Sequence, residues 1–85
     1  MSEEKLIQLI IEFLKKNFDK KMGDNFNHDQ NLIRTGVLDS YSLVLLVEYL
    51  DNELDLVIDY SYIKEENFES INAIVKFLNE KYNLY

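Results

Sequence analysis

The residues best suited to chemistry lie in one short run, Gly36-Val37-Leu38-Asp39-Ser40-Tyr41. The run sets a hydroxyl beside a carboxylate, just after a glycine that lets the chain bend. If it opens a helix, the serine hydroxyl is exposed. A phosphate ester formed on it would then lie at the positive end of the helix dipole. The same residues also suit an ordinary N-cap, since Asp and Ser are among the commonest residues there. Other chemistry has little to work with. The single histidine, His28, stands in a polar stretch and reads as a solvated side chain. There is no cysteine, which excludes disulfides, thiolate metal sites and a Cys–His pair. Glu65 and Glu66 are adjacent and would point apart on a helix. Glu48, Asp51, Glu53 and Asp55 lack the alternation and central glycine of a calcium loop. No glycine-rich phosphate loop or nucleotide fingerprint occurs, and 85 residues are few for a walled pocket. The chain is therefore not expected to be an enzyme.

The elements that must position Ser40 are read from periodicity and caps, because there is no proline and there are two glycines. Ser2 is a candidate N-cap, with Glu3 and Glu4 favourable in the first turn. Leu6, Leu9, Ile10, Phe13 and Leu14, broadened by Ile7 and Ile11, then predict a helix over about residues 3–17. From Phe18 to Leu38 no period holds, and Gly23, Asn25, Asn27, Asp29, Asn31 and Gly36 favour turns. A loop this long needs a function or its own packing; Phe26, Leu32, Ile33, Val37 and Leu38 are its expected anchors. A second helix begins at Asp39 or Ser40 and ends near Glu53, with Leu43, Leu46, Val47, Leu50 and Leu54 on its apolar stripe and Tyr41, Val44 and Leu45 off it. Leu56-Val57-Ile58 reads as a connection over the core, because a lone strand would have no partner. A short third helix is expected over residues 61–68, with Ile63 and Phe68 pointing inward. The last helix follows Ser70 as N-cap, with Ile71, Ile74, Val75, Leu78 and Tyr82 on one face. The expected fold is all-α, a single-domain four-helix bundle spanning residues 1–85.

Composition bounds the rest. The hydrophobic share of 47%, with six Tyr and five Phe, is enough for a small core without staples. No apolar run reaches membrane-spanning length, and Met1-Ser2-Glu3-Glu4 lacks the pattern of a secretory signal, so a soluble cytoplasmic protein is expected. Charge is unevenly placed. Residues 1–38 hold six Lys/Arg and six Asp/Glu, whereas residues 39–85 hold three against ten, so the net charge of −7 lies wholly from Asp39 onward. Such a half repels nucleic acid and attracts basic protein surfaces.

The run Gly36-Val37-Leu38-Asp39-Ser40, followed by Leu43, Val44 and Val47, resembles the signature of acyl and peptidyl carrier proteins. Glu66-Asn67-Phe68-Glu69-Ser70-Ile71, with Ile74, Val75 and Phe77, is similar to that family's third helix and the start of its fourth. The long first loop is also a family feature, so the resemblance runs in order along nearly the whole chain. It implies the acyl-carrier type of four-helix bundle, with 4′-phosphopantetheine from coenzyme A attached to Ser40 beside Asp39. It further implies a phosphopantetheinyl transferase, an acyl- or aminoacyl-activating ligase and an acceptor transferase or synthase as partners. The domain would act as a monomer, without nucleic acid, metal or membrane insertion. The implied docking face is Tyr41, Val44 and Leu45, with Glu48 and Asp51 as its charged rim. Tyr41 stands where the family commonly has Leu, which looks more like the D-alanyl carriers of teichoic-acid modification and standalone aminoacyl carriers. Leu45 and Glu48 also depart from the fatty-acid carrier pattern. The alternative is a small acidic helical adaptor that binds a basic partner unmodified.

Overall fold

The hydroxyl of Ser2 accepts the Lys5 N–H at 3.2 Å and its carbonyl accepts that of Leu6, so the expected cap does start the first helix. This computed structural model describes residues 2–22 and 27–84; the expected anchor Phe26, with Gly23 and Asn25, lies outside the described residues. Among the described residues four α-helices follow one another, α1 (Glu3–Met22), α2 (Ser40–Leu54), α3 (Glu65–Phe68) and α4 (Ile71–Tyr82), with a 3₁₀ turn at Tyr60–Tyr62. The described residues contain no strand, and α1 packs on both α2 and α4 while α3 packs on α4. No described helix is long and apolar enough to cross a membrane.

Helix α1 extends past the expected end at residue 17, but it is broken near there. Phe18 leaves helical geometry (φ −139°, ψ 28°), and the Asn17 side-chain amide donates to the Phe13 carbonyl at 2.8 Å. An Asn side chain that takes a backbone carbonyl competes with the helical ladder and bends it. The buried face is Leu6, Ile10, Phe13 and Leu14, with Ile7 and Ile11 packed beside it. Leu9 is a correction, being only half-buried and outside that face. Because most residues from Leu6 to Leu14 are apolar, the pattern alone leaves the helix phase loose.

Helix α2 buries Leu46, Val47 and Leu50, as its spacing predicts, and half-buries Leu43 and Leu54. Its contact arc is wider than expected, since Leu45 and Tyr49 also pack on the core. The Tyr49 ring lies 5.0 Å from that of Phe13. The helix ends at Asp55 in the left-handed region (φ 54°), whose N–H returns to the Asp51 carbonyl. The connection then crosses the core as expected, burying Ile58 and leaving Val57 exposed. The short helix expected over 61–68 is instead two pieces, the 3₁₀ turn and α3, with Phe68 fully buried and Ile63 half-buried. Asp59 caps the first piece. Hydrogen bonds from the Ser61 N–H and hydroxyl hold its carboxyl below the usual aspartate range.

The hydroxyl of Ser70 accepts the Ala73 N–H at 3.0 Å and starts α4, which buries Ile71, Ile74, Val75 and Leu78 and adds Phe77 to the expected face. Phe77 meets Tyr62, Phe68 and Tyr82 at ring-centroid distances of 5.5 to 6.2 Å.

Two substitutions separate core from backbone. Leu46 is fully buried, so Leu46→Ala should destabilise by about 2–5 kcal/mol in chemical denaturation. Gly36 has φ +83°, yet an added Cβ would meet nothing within 4 Å. Gly36→Ala should therefore cost only the left-handed backbone term, about 1–2 kcal/mol, with a fold otherwise unchanged.

Candidate functional site

The segment leading to Ser40 is held from below. In residues 27–38 the turns are closed by side chains: Asn27 accepts the Asp29 N–H, and Asn31 accepts those of Ile33 and Arg34. The Thr35 hydroxyl donates to the Asn31 carbonyl at 2.7 Å. Gly36, in its positive-φ conformation, reverses the chain, and Val37 and Leu38 then bury their side chains. Leu32 donates its N–H to the Glu69 carbonyl at 2.6 Å and accepts that of Leu38 at 2.9 Å. Asn72, in the first turn of α4, donates its N–H to the His28 carbonyl and its side-chain amide to Asp29. The loop is thus fastened to the junction of α3 and α4. His28 is exposed.

Exposure changes abruptly after Leu38. Asp39, Ser40 and Tyr41 are exposed, Tyr41 by 73%, and Ser42 is buried again. Asp39 is the N-cap of α2. Its Oδ1 accepts both the Ser42 N–H, at 2.8 Å, and the Ser42 hydroxyl, at 2.9 Å. Ser40 is the first residue of α2, which has no acidic residue in its first turn, so its hydroxyl sits in solvent at the positive end of a 15-residue helix. The contribution of Ser42 was not legible in the periodicity. The signal available was its place three residues after a capping Asp, where a side chain can return to the cap.

The other candidate residues divide. Tyr41, Val44 and Glu48 recur at spacings of three and four along one stripe that continues from Ser40. Val44 is half-buried without joining the core, and Glu48 is exposed. Leu45 instead packs on the core. Asp51 is half-buried, and its Oδ1 accepts the Ile58 N–H at 2.9 Å, holding the chain as it leaves α2. That makes Asp51 a brace for the turn, whereas Glu48 is exposed.

Two adjoining concavities lie between α1 and α2 and share Glu12 and Glu53, one reaching Lys5 and Leu9 and the other Phe13 and Tyr49. Partial burial and the carboxylates of Glu53 and Glu12 push the Tyr49 hydroxyl above its usual value, so it remains protonated at neutral pH. Charges of both signs line the groove, and no cluster of three or more potential metal ligands occurs among the described residues. Arg34 meets Glu65 at 4.0 Å in an exposed pair worth little to stability. No known protein family matches the chain, and no curated protein matches it.

The cap can be tested apart from any function. Asn accepts the backbone bond about as well as Asp, so Asp39→Asn should retain most of the stability, whereas Asp39→Ala should lose about 1–2 kcal/mol in urea denaturation.

Proposed function

We propose that the protein is a non-catalytic carrier, with 4′-phosphopantetheine esterified to Ser40 and an acyl or aminoacyl group presented on that arm to partner enzymes. The observation that carries this reading is the placement of Ser40. It is an exposed hydroxyl on the first residue of a capped helix, held on a loop that is itself bonded to the rest of the bundle. The acyl-carrier type of bundle, and the family resemblance of the Gly36–Ser40 run, belong to the same proposal.

In the attachment step the Ser40 Oγ attacks the pantetheine-side phosphorus of the coenzyme A diphosphate. The P–O bond to the adenosine bisphosphate breaks, that group leaves, and the hydroxyl proton passes to a base on the transferase. The new phosphodiester would lie at the positive end of α2, a favourable place for an anion. Once attached, the arm supplies the terminal thiol that this cysteine-free chain lacks and can hold a thioester. A basic ligase or acceptor enzyme would dock on the Tyr41–Val44–Glu48 stripe, steered by the acid excess from Asp39 onward.

Incubation with coenzyme A and a broad-specificity phosphopantetheinyl transferase should add one phosphopantetheine mass to the intact protein. Fragmentation should locate it on Ser40, and Ser40→Ala should fold normally and gain nothing. An unchanged wild-type mass would reject the reading and leave the acidic adaptor.

Docking has a separate test. Val44→Arg should stay within about 1 kcal/mol of the parent in thermal unfolding, because Val44 is not part of the core. Loading of the modified protein by a cognate ligase should nevertheless slow at least several-fold. If Val44→Arg loads as fast as the parent, the stripe is not the docking face.

A further inference from the structure

An N-cap needs one backbone bond, and Asp39 makes two bonds to the same residue. The second comes from the Ser42 hydroxyl, which is buried and 2.9 Å from the same Oδ1 that accepts the Ser42 N–H. Two donors on one oxygen, arriving from the backbone and the side chain of one residue, restrict the carboxylate's rotation about its side-chain torsions. A carboxylate accepts only, so the Ser42 hydroxyl must be the donor, and the bond to a charged acceptor is of the stronger kind. Asp39 itself is exposed and is the immediate neighbour of Ser40. The negative charge beside the reacting hydroxyl is therefore held in a defined orientation by a group beneath the surface.

Resting on the carrier reading, we infer that Ser42 is a positioning residue for modification of Ser40: it orients the Asp39 carboxylate towards the cationic surface that the transferase must present there. Charge requires such a surface. The donor diphosphate and Asp39 are both anionic, and they approach one hydroxyl, so cationic groups on the transferase must lie close to both. A carboxylate already oriented for that contact loses less freedom on docking than one that rotates. Ser42 thus acts through Asp39 and does not itself meet the donor. Removing its hydroxyl leaves the backbone bond to Oδ1 in place and takes away one of the two donors that restrict the carboxylate.

The experiment measures phosphopantetheine transfer by intact mass for the parent, Ser42→Ala, Asp39→Asn and the double variant, at low and at high salt. Thermal melts establish that each is folded at the assay temperature. Ser42→Ala should lower kcat/KM about threefold to tenfold, mainly through KM. The loss should shrink at high salt, where the attraction is screened. The double variant should react no more slowly than Asp39→Asn alone, because without the carboxylate charge there is nothing for Ser42 to orient. A parent-like rate for Ser42→Ala would overturn the inference, as would an equal further loss when Ser42→Ala is added to Asp39→Asn. Both outcomes leave the carrier reading intact, whereas a parent protein that takes no arm at all removes both.

Discussion

The structure depends on how one loop residue, Leu32, is bonded. Its side chain is fully buried, its N–H is given to the Glu69 carbonyl and its carbonyl receives the Leu38 N–H. A buried backbone group without a partner is costly, so a segment that enters the core must find bonds there. Leu32 finds them at two places far apart in sequence, the end of α3 and the approach to α2. The start of α2 and the start of α4 are thereby tied to one point. Asn72 repeats the tie from the other side through His28 and Asp29. Without these bonds the first loop would be a tether, and the residue at the head of α2 would have no fixed place on the bundle.

From that attachment the character of Ser40 follows. Gly36 turns the chain in a conformation that side chains disfavour, Val37 and Leu38 descend into the core, and Asp39 caps the next helix. Two buried residues and a buried Ser42 bracket three exposed ones. The exposed hydroxyl is thus carried on a short span with little freedom. On the proposed reading, an external catalyst would need a reactive group of this kind: accessible from one side and held in place from the other.

Much of this was legible because it is local. Asp39 and Ser70 are capping residues at the heads of apolar stripes, and Leu46, Val47, Leu50, Ile74 and Leu78 recur at spacings that only a helix brings together. The anchors Leu32, Val37 and Leu38 stand out as apolar residues in a polar stretch. What escaped is what depends on distant chain or on competing patterns. Leu9 sits among so many apolar neighbours that the stripe could be drawn through it, and only packing against α4 and α2 fixes the phase. Asp51 looks like a surface acid until the chain doubles back and Ile58 presents its N–H seven residues later. The third helix splits because Asp59 and Lys64 each start a new turn, and no run of helical spacing is long enough to override them. The resemblance of the Gly36–Ser40 run bears on function, and periodicity does not address it.

A small domain also limits where function can be written. Helix α2 contributes Ser42, Leu46, Val47 and Leu50 to the buried interior, and Leu43, Leu45, Tyr49 and Leu54 pack at its edges. Most of its circumference is therefore committed to stability, as expected where so few residues must supply a core without disulfides. A narrow stripe through Tyr41, Val44 and Glu48 can change without disturbing the interior. The stripe begins beside Ser40. A partner that selects this protein by its α2 surface would read few side chains, and the rest of its discrimination would have to come from long-range charge. The acid excess is placed to supply that, since it begins at Asp39 and spares the half of the chain that forms α1 and the loop. On the proposed carrier reading, the constraint that narrows the stripe would make net charge matter more here than on a larger protein, where a broad contact surface could carry specificity by shape.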